Sequence, residues 1–93
     1  MAESRAFSGV TIEVVHRIKH VAHTEHGVLF YPTNGTNGTA TGRTPFGDCV
    51  VHFVHDGAQS VLVLTPLKKP MLLPAGLLWR GFKVEIERFR RPA

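Results

Sequence analysis

Apolar and polar residues alternate along much of this chain. From Val10 to Ala22, Val10, Ile12, Val14 and Ile18 fall at even positions while Thr11, Glu13, Arg17 and Lys19 fall at odd ones, the period of a half-buried strand. A helix competes, because Val10, Val14, Ile18 and Val21 also recur at helical spacing and Ser8 offers a cap. The density of β-branched residues favours the strand. Val28 to Tyr31 predicts a short strand that Pro32 ends or confines to an edge. Asp48 to Asp56 and Ser60 to Thr65 predict two strands joined by a tight connection opening on Asp56-Gly57, the clearest hairpin in the chain. Near the end, the apolar run Leu77-Leu78-Trp79 breaks at Arg80-Gly81 and resumes as Phe82, Val84 and Ile86, a pattern that predicts a turn between two strands.

Between these segments lie turn signals. Pro66 to Pro70 is a basic, proline-bounded turn, and Met71 to Gly76 contains another. Residues 33–47 are rich in Gly, Thr and Asn, with a doubled Asn-Gly-Thr, and predict a flexible loop longer than most connections. The tandem also matches a glycosylation acceptor pattern, which turn chemistry explains as well. Short strands separated by turns, with no convincing long helix, predict an all-β chain. The expected fold is a single domain over residues 1–93, a small five-stranded antiparallel open barrel of the SH3-like kind.

Composition adds limits. At 93 residues, 43% hydrophobic and 19% charged, the chain has the make-up of one globular domain rather than a disordered segment. A formal charge of +4 favours anionic partners and also serves plain solubility. The lone Cys49 has no internal disulfide partner and reads as a small buried hydrophobe. No apolar run approaches a membrane span and no basic leader precedes one, so the expected location is cytoplasmic, with no membrane partner.

Six histidines invite a metal reading. On a helix His16, His20 and His23 would share a face; on the favoured strand only His16 and His20 would, too far apart for one ion. His52 and His55 differ in parity, and no Cys pair or His-Glu-x-x-His pattern accompanies them, so no metal and no cofactor is expected. His55, Asp56 and Ser60 lie together on one hairpin, which is not the geometry of a catalytic triad. With no nucleophile elbow, acidic cleft or cofactor fingerprint, and no small-molecule substrate evident, the expectation is a non-catalytic protein.

The end of the chain interleaves Trp79, Phe82 and Phe89 with Arg80, Lys83, Arg88, Arg90 and Arg91, chemistry that suits bases and phosphates. Two stretches, Asp56-Gly57-Ala58-Gln59-Ser60-Val61-Leu62-Val63-Leu64 and Trp79-Arg80-Gly81-Phe82-Lys83-Val84, together resemble the two motifs of the Sm-like family of small RNA-binding barrels, in the family's order. The resemblance covers roughly the last 45 residues. It implies that Asp56, Ser60, Arg80 and Gly81 occupy the motif positions that line a ring's pore and contact single-stranded RNA, with Lys83 adding charge. Ser60 stands where the family has Asn, and Ala58 where a stacking residue is common, which leaves phosphate attraction through Arg80 and Lys83. The alternative function is a protein-interaction or homo-oligomerisation module that uses strand edges and the apolar stretch from Met71 to Trp79.

Overall fold

A computed structural model describes residues 4–31 and 35–90. Along the chain run β1 (Arg5–Phe7), α1 (Ile12–His26), β2 (Leu29–Tyr31), β3 (Asn37–Thr44), β4 (Gly47–Asp56), β5 (Val61–Lys68) and α2 (Ala75–Arg90). The strands form one antiparallel sheet in the order β1-β5-β4-β3-β2. The sheet does not close into a barrel, and both helices pack on the same side of it. The β-rich expectation therefore stands, while the all-β expectation gives way to a sheet with two helices.

The segment from Val10 to Ala22, expected as a strand, folds mostly as α1. Its ends explain the outcome. The Thr11 hydroxyl accepts the Val14 N–H at 3.3 Å, an N-cap one turn later than Ser8. At the other end Gly27 takes φ 66°, its N–H donates to the His23 carbonyl, and Val28 N–H donates to the Ala22 carbonyl. The left-handed Gly27 with its N–H on the His23 carbonyl is an αL stop, which glycine permits because it has no Cβ. Val14 and Val15 then enter the core, with Ile18 packed against it.

The second correction concerns Trp79 to Val84, expected as a turn between strands and found inside α2. The Pro74 carbonyl accepts the N–H groups of Leu77 and Leu78 and starts the helix. Leu78, Trp79, Phe82, Ile86 and Phe89 line its inner side, a helical period running through the apparent alternation. Val84, which a strand would bury beside Phe82 and Ile86, is 57% exposed. Glu85–Arg88 at 3.7 Å and Glu87–Arg90 at 3.3 Å flank the inner stripe. The Arg90 guanidinium also donates to the Ser8 carbonyl at 2.8 Å, tying the end of α2 to the start of α1.

The third correction is β3, which runs through the segment expected as a flexible loop. Thr33 and Asn34 lie outside the described residues; Asn37–Thr44 pairs with β4 along its whole length. Gly38, Ala40 and Gly42 point to the helix side and Thr39 and Thr41 away from it, so the alternation is real but its inward members are small. Large neighbours fill that space: Phe53 lies opposite Gly38, and Phe30 and Phe53 meet edge to face at 5.8 Å.

The core lies between the sheet and the helices, built from Val10, Val14, Val15, Val51, Phe53, Leu62, Leu64, Trp79 and Ile86. His55 is buried with them, and its Nε2–H donates to the Val10 carbonyl at 2.7 Å, which satisfies both groups. No described helix is long and apolar enough to cross a membrane.

Candidate functional site

The Asp56 turn folds as expected. Asp56 Oδ1 accepts the N–H groups of Ala58 and Gln59 at 3.0 and 3.2 Å, an arrangement typical of Asp in turns. Ser60 adopts φ 54°, and its carbonyl accepts the Val10 N–H at 2.8 Å. Asp56 and Ser60 thus hold the β4–β5 connection and the entry to α1. His55 and Asp56 point to opposite sides of the sheet, and the three residues His55, Asp56 and Ser60 form no hydrogen-bonded relay.

Arg80, Gly81 and Lys83 lie on the exposed side of α2. The β4–β5 turn neighbours Val10, and Ser8 is held by Arg90, so the turn sits near the C-terminal end of α2. Ten helical residues separate Arg80 from Arg90, about 15 Å of rise. The two expected motifs therefore occupy different parts of the molecule. Trp79, expected near an apolar edge, is 4% exposed and packs against Phe7 and Phe82, with the Arg5 guanidinium 4.8 Å from its ring. The true sheet edges are the three-residue strands β1 and β2, too short to template much pairing.

Two other features have the shape of sites. The first is the open face of the sheet. Register places Ala6, Leu29, Tyr31, Thr39, Thr41, Val50, His52, Val54, Val61, Val63 and Thr65 there, and no described element packs over them. Leu29 and Tyr31 are 50% and 65% exposed. Among the described residues, the Lys, Arg, Asp and Glu side chains of this face sit at its margins. Arg43 pairs with Asp48 at 3.9 Å, Asp56 closes one end, and Lys68 follows a bulge at the other. Two cations and two anions cancel, on a chain whose formal charge is +4.

The second feature is a cleft of about 860 Å³ between α1 and the edge strand β2. His16, Lys19, His20 and His23 line it from the helix, Leu29, Phe30 and Tyr31 from the strand, and Gly35 and Thr36 from the connection to β3. Lys19 is fixed in place. Its Nζ donates to the Gly35 carbonyl at 2.8 Å and lies 5.3 Å from the Phe30 ring centre. His23 Nδ1 donates to the Val28 carbonyl at 3.1 Å. Among the described residues no three His, Cys, Asp or Glu side chains converge on a point that would hold a metal ion.

The sequence signal for the cleft was the i, i+4, i+7 spacing of the three histidines, visible only to a helical reading. The signal for the open face was the parity of Val50, His52 and Val54 against Val61, Val63 and Thr65. Cys49 lies on the covered side near the start of β4, where burial pushes its thiol above the ordinary value and the Lys69 ammonium pulls it partly back. Comparison with known proteins finds no matching family model, no matching curated protein and no matching solved structure.

Proposed function

We propose that this chain is a non-catalytic association module that pairs two copies through the open face of its sheet. The observation that carries the proposal is the composition of that face: apolar and threonine side chains around His52 in the middle, balanced charges at the rim. Antiparallel sheets that face water on one side ordinarily turn polar residues outward, and here Val50, Val54, Val61 and Val63 turn outward instead. Strands about 4.8 Å apart rising about 3.3 Å per residue give the face an area on the order of 500 Å². Two copies would remove on the order of 1,000 Å² from water, where specific interfaces begin. Like-charged chains repel, and a face without net charge is where two such chains meet at least cost.

Single-stranded RNA binding is the competing reading, and it rests on Arg80 and Lys83 on α2 without the Asp56 turn beside them. Sedimentation equilibrium across a concentration series separates the two. The expected outcome is a monomer–dimer equilibrium with a dissociation constant in the micromolar range, on the order of what so small an interface supports. Val54→Lys should shift it to monomer while far-UV circular dichroism stays unchanged. A wild-type chain that remains monomeric at millimolar concentration overturns the proposal. Low-salt RNA affinity weakened by Arg80→Ala would favour the competitor.

A further inference from the structure

We infer that the cleft between α1 and β2 is a binding site for a nucleoside monophosphate, with the phosphate held by the α1 cations and the base laid against the β2 aromatics. Three observations converge on it. The helix sets His16, His20 and His23 on one side at successive turns, with Lys19 between them. The opposite wall carries Phe30, and Tyr31, 65% exposed, borders the cleft at the rim it shares with the open face. Its volume of about 860 Å³ falls within the range of small-molecule sites.

The charge pattern selects the ligand class. The lining holds three imidazoles, one ammonium and one phenol, with no carboxylate; the acidic residues of α1, Glu13 and Glu25, are not among them. Gly35 and Thr36 contribute no charge from the far side. A cationic wall without carboxylates favours an anion, and imidazole N–H groups make charge-assisted hydrogen bonds to phosphate oxygens. Lys19 supplies a fixed positive charge because it is already held by Gly35 and the Phe30 ring, so little ordering remains to oppose binding. Tyr31 presents a flat ring on which a base can stack. A bare inorganic anion would leave that aromatic wall unused.

Imidazole is the side chain whose charge changes near neutral pH, so affinity should rise on acidification. The test is an amide chemical-shift titration with adenosine 5′-monophosphate, inorganic phosphate and adenosine, at pH 7.5 and 5.5. Adenosine 5′-monophosphate should perturb the amides of His16, His20, His23 and Tyr31 and bind more tightly at the lower pH, where three imidazoles gain charge while the phosphate, with its second pKa about 6, loses at most one. Inorganic phosphate should bind more weakly, and adenosine more weakly still. The exposed double substitution His16→Gln with His20→Gln should weaken the nucleotide at pH 5.5 more than at pH 7.5, leaving only the response of His23 and of the phosphate, with an unchanged spectrum elsewhere certifying the fold. Tyr31→Ala should weaken the nucleotide and leave inorganic phosphate unaffected. The assignment is overturned by an absence of perturbation at millimolar nucleotide at pH 5.5. It is equally overturned by phosphate or adenosine matching the nucleotide, or by a pH response that the double substitution leaves undiminished. Tyr31 also borders the open face, so the titration is run at a protein concentration where sedimentation shows monomer, and the amides of His16, His20 and His23 report on the cleft apart from pairing.

Discussion

Phe53 and Val54 are neighbours on one strand and live in different solvents. Phe53 is 5% exposed, packed against Phe30 beneath the two helices, whereas Val54 on the other side of the same strand is 37% exposed with nothing over it. Both are apolar and both suit a strand. Hydrophobicity alone, then, does not say which side of a sheet becomes the core. The side chosen is the one on which α1 and α2 bring Val14, Val15, Trp79 and Ile86.

Truncating the two neighbours gives the largest expected contrast. Phe53→Ala should cost about 3–5 kcal/mol, as large-to-small changes in cores do, and Val54→Ala no more than about 0.5 kcal/mol in a dilute monomer. Urea unfolding at low protein concentration measures both. Equal losses would mean that the open face is covered in solution and would erase the contrast.

A smaller effect tests how the covering helices are held. Gly81 lies on the exposed side of α2, and a Cβ added there meets nothing within 4 Å. Gly81→Ala should therefore stabilise the fold by roughly 0.5–1 kcal/mol, the helical advantage of alanine over glycine. A loss on thermal unfolding would return residues 80–81 to a turn between strands.

The smallest effect uses Cys49 as a probe of dryness on the covered side. Its thiol is raised in the folded state by burial, so the stability it contributes is present below the ordinary thiol range and is lost as pH climbs through the raised value. Between pH 8 and 10 the wild type should lose melting temperature relative to Cys49→Ala. A difference that stays flat with pH would show that the thiol is as wet as the open face.

Local rules sufficed where each residue had one reading. Asp56-Gly57 between two apolar runs is a turn in any context, and it is one here. They failed where a segment satisfied two periods at once. Val10, Val14 and Ile18 share even parity and helical spacing, and Phe82 and Ile86 do the same. They failed also at β3, whose inward positions are Gly38, Ala40 and Gly42, because the space beneath belongs to aromatics from other strands. The candidate sites followed the elements. Once residues 12–26 form a helix, the histidines gather on one wall; once residues 75–90 do, Arg80 parts from the Asp56 turn.

The sequence by itself determined a small β-rich domain and the β4–β5 hairpin, since these depend on chemistry within a few positions along the chain. Tertiary structure decided the rest. Whether residues 10–22 and 77–90 became strands or helices turned on caps and on which large side chains could share one core. Which side of the sheet stayed bare, and which cations came to face the same cleft, are properties of segments distant in sequence, and only packing brings them together.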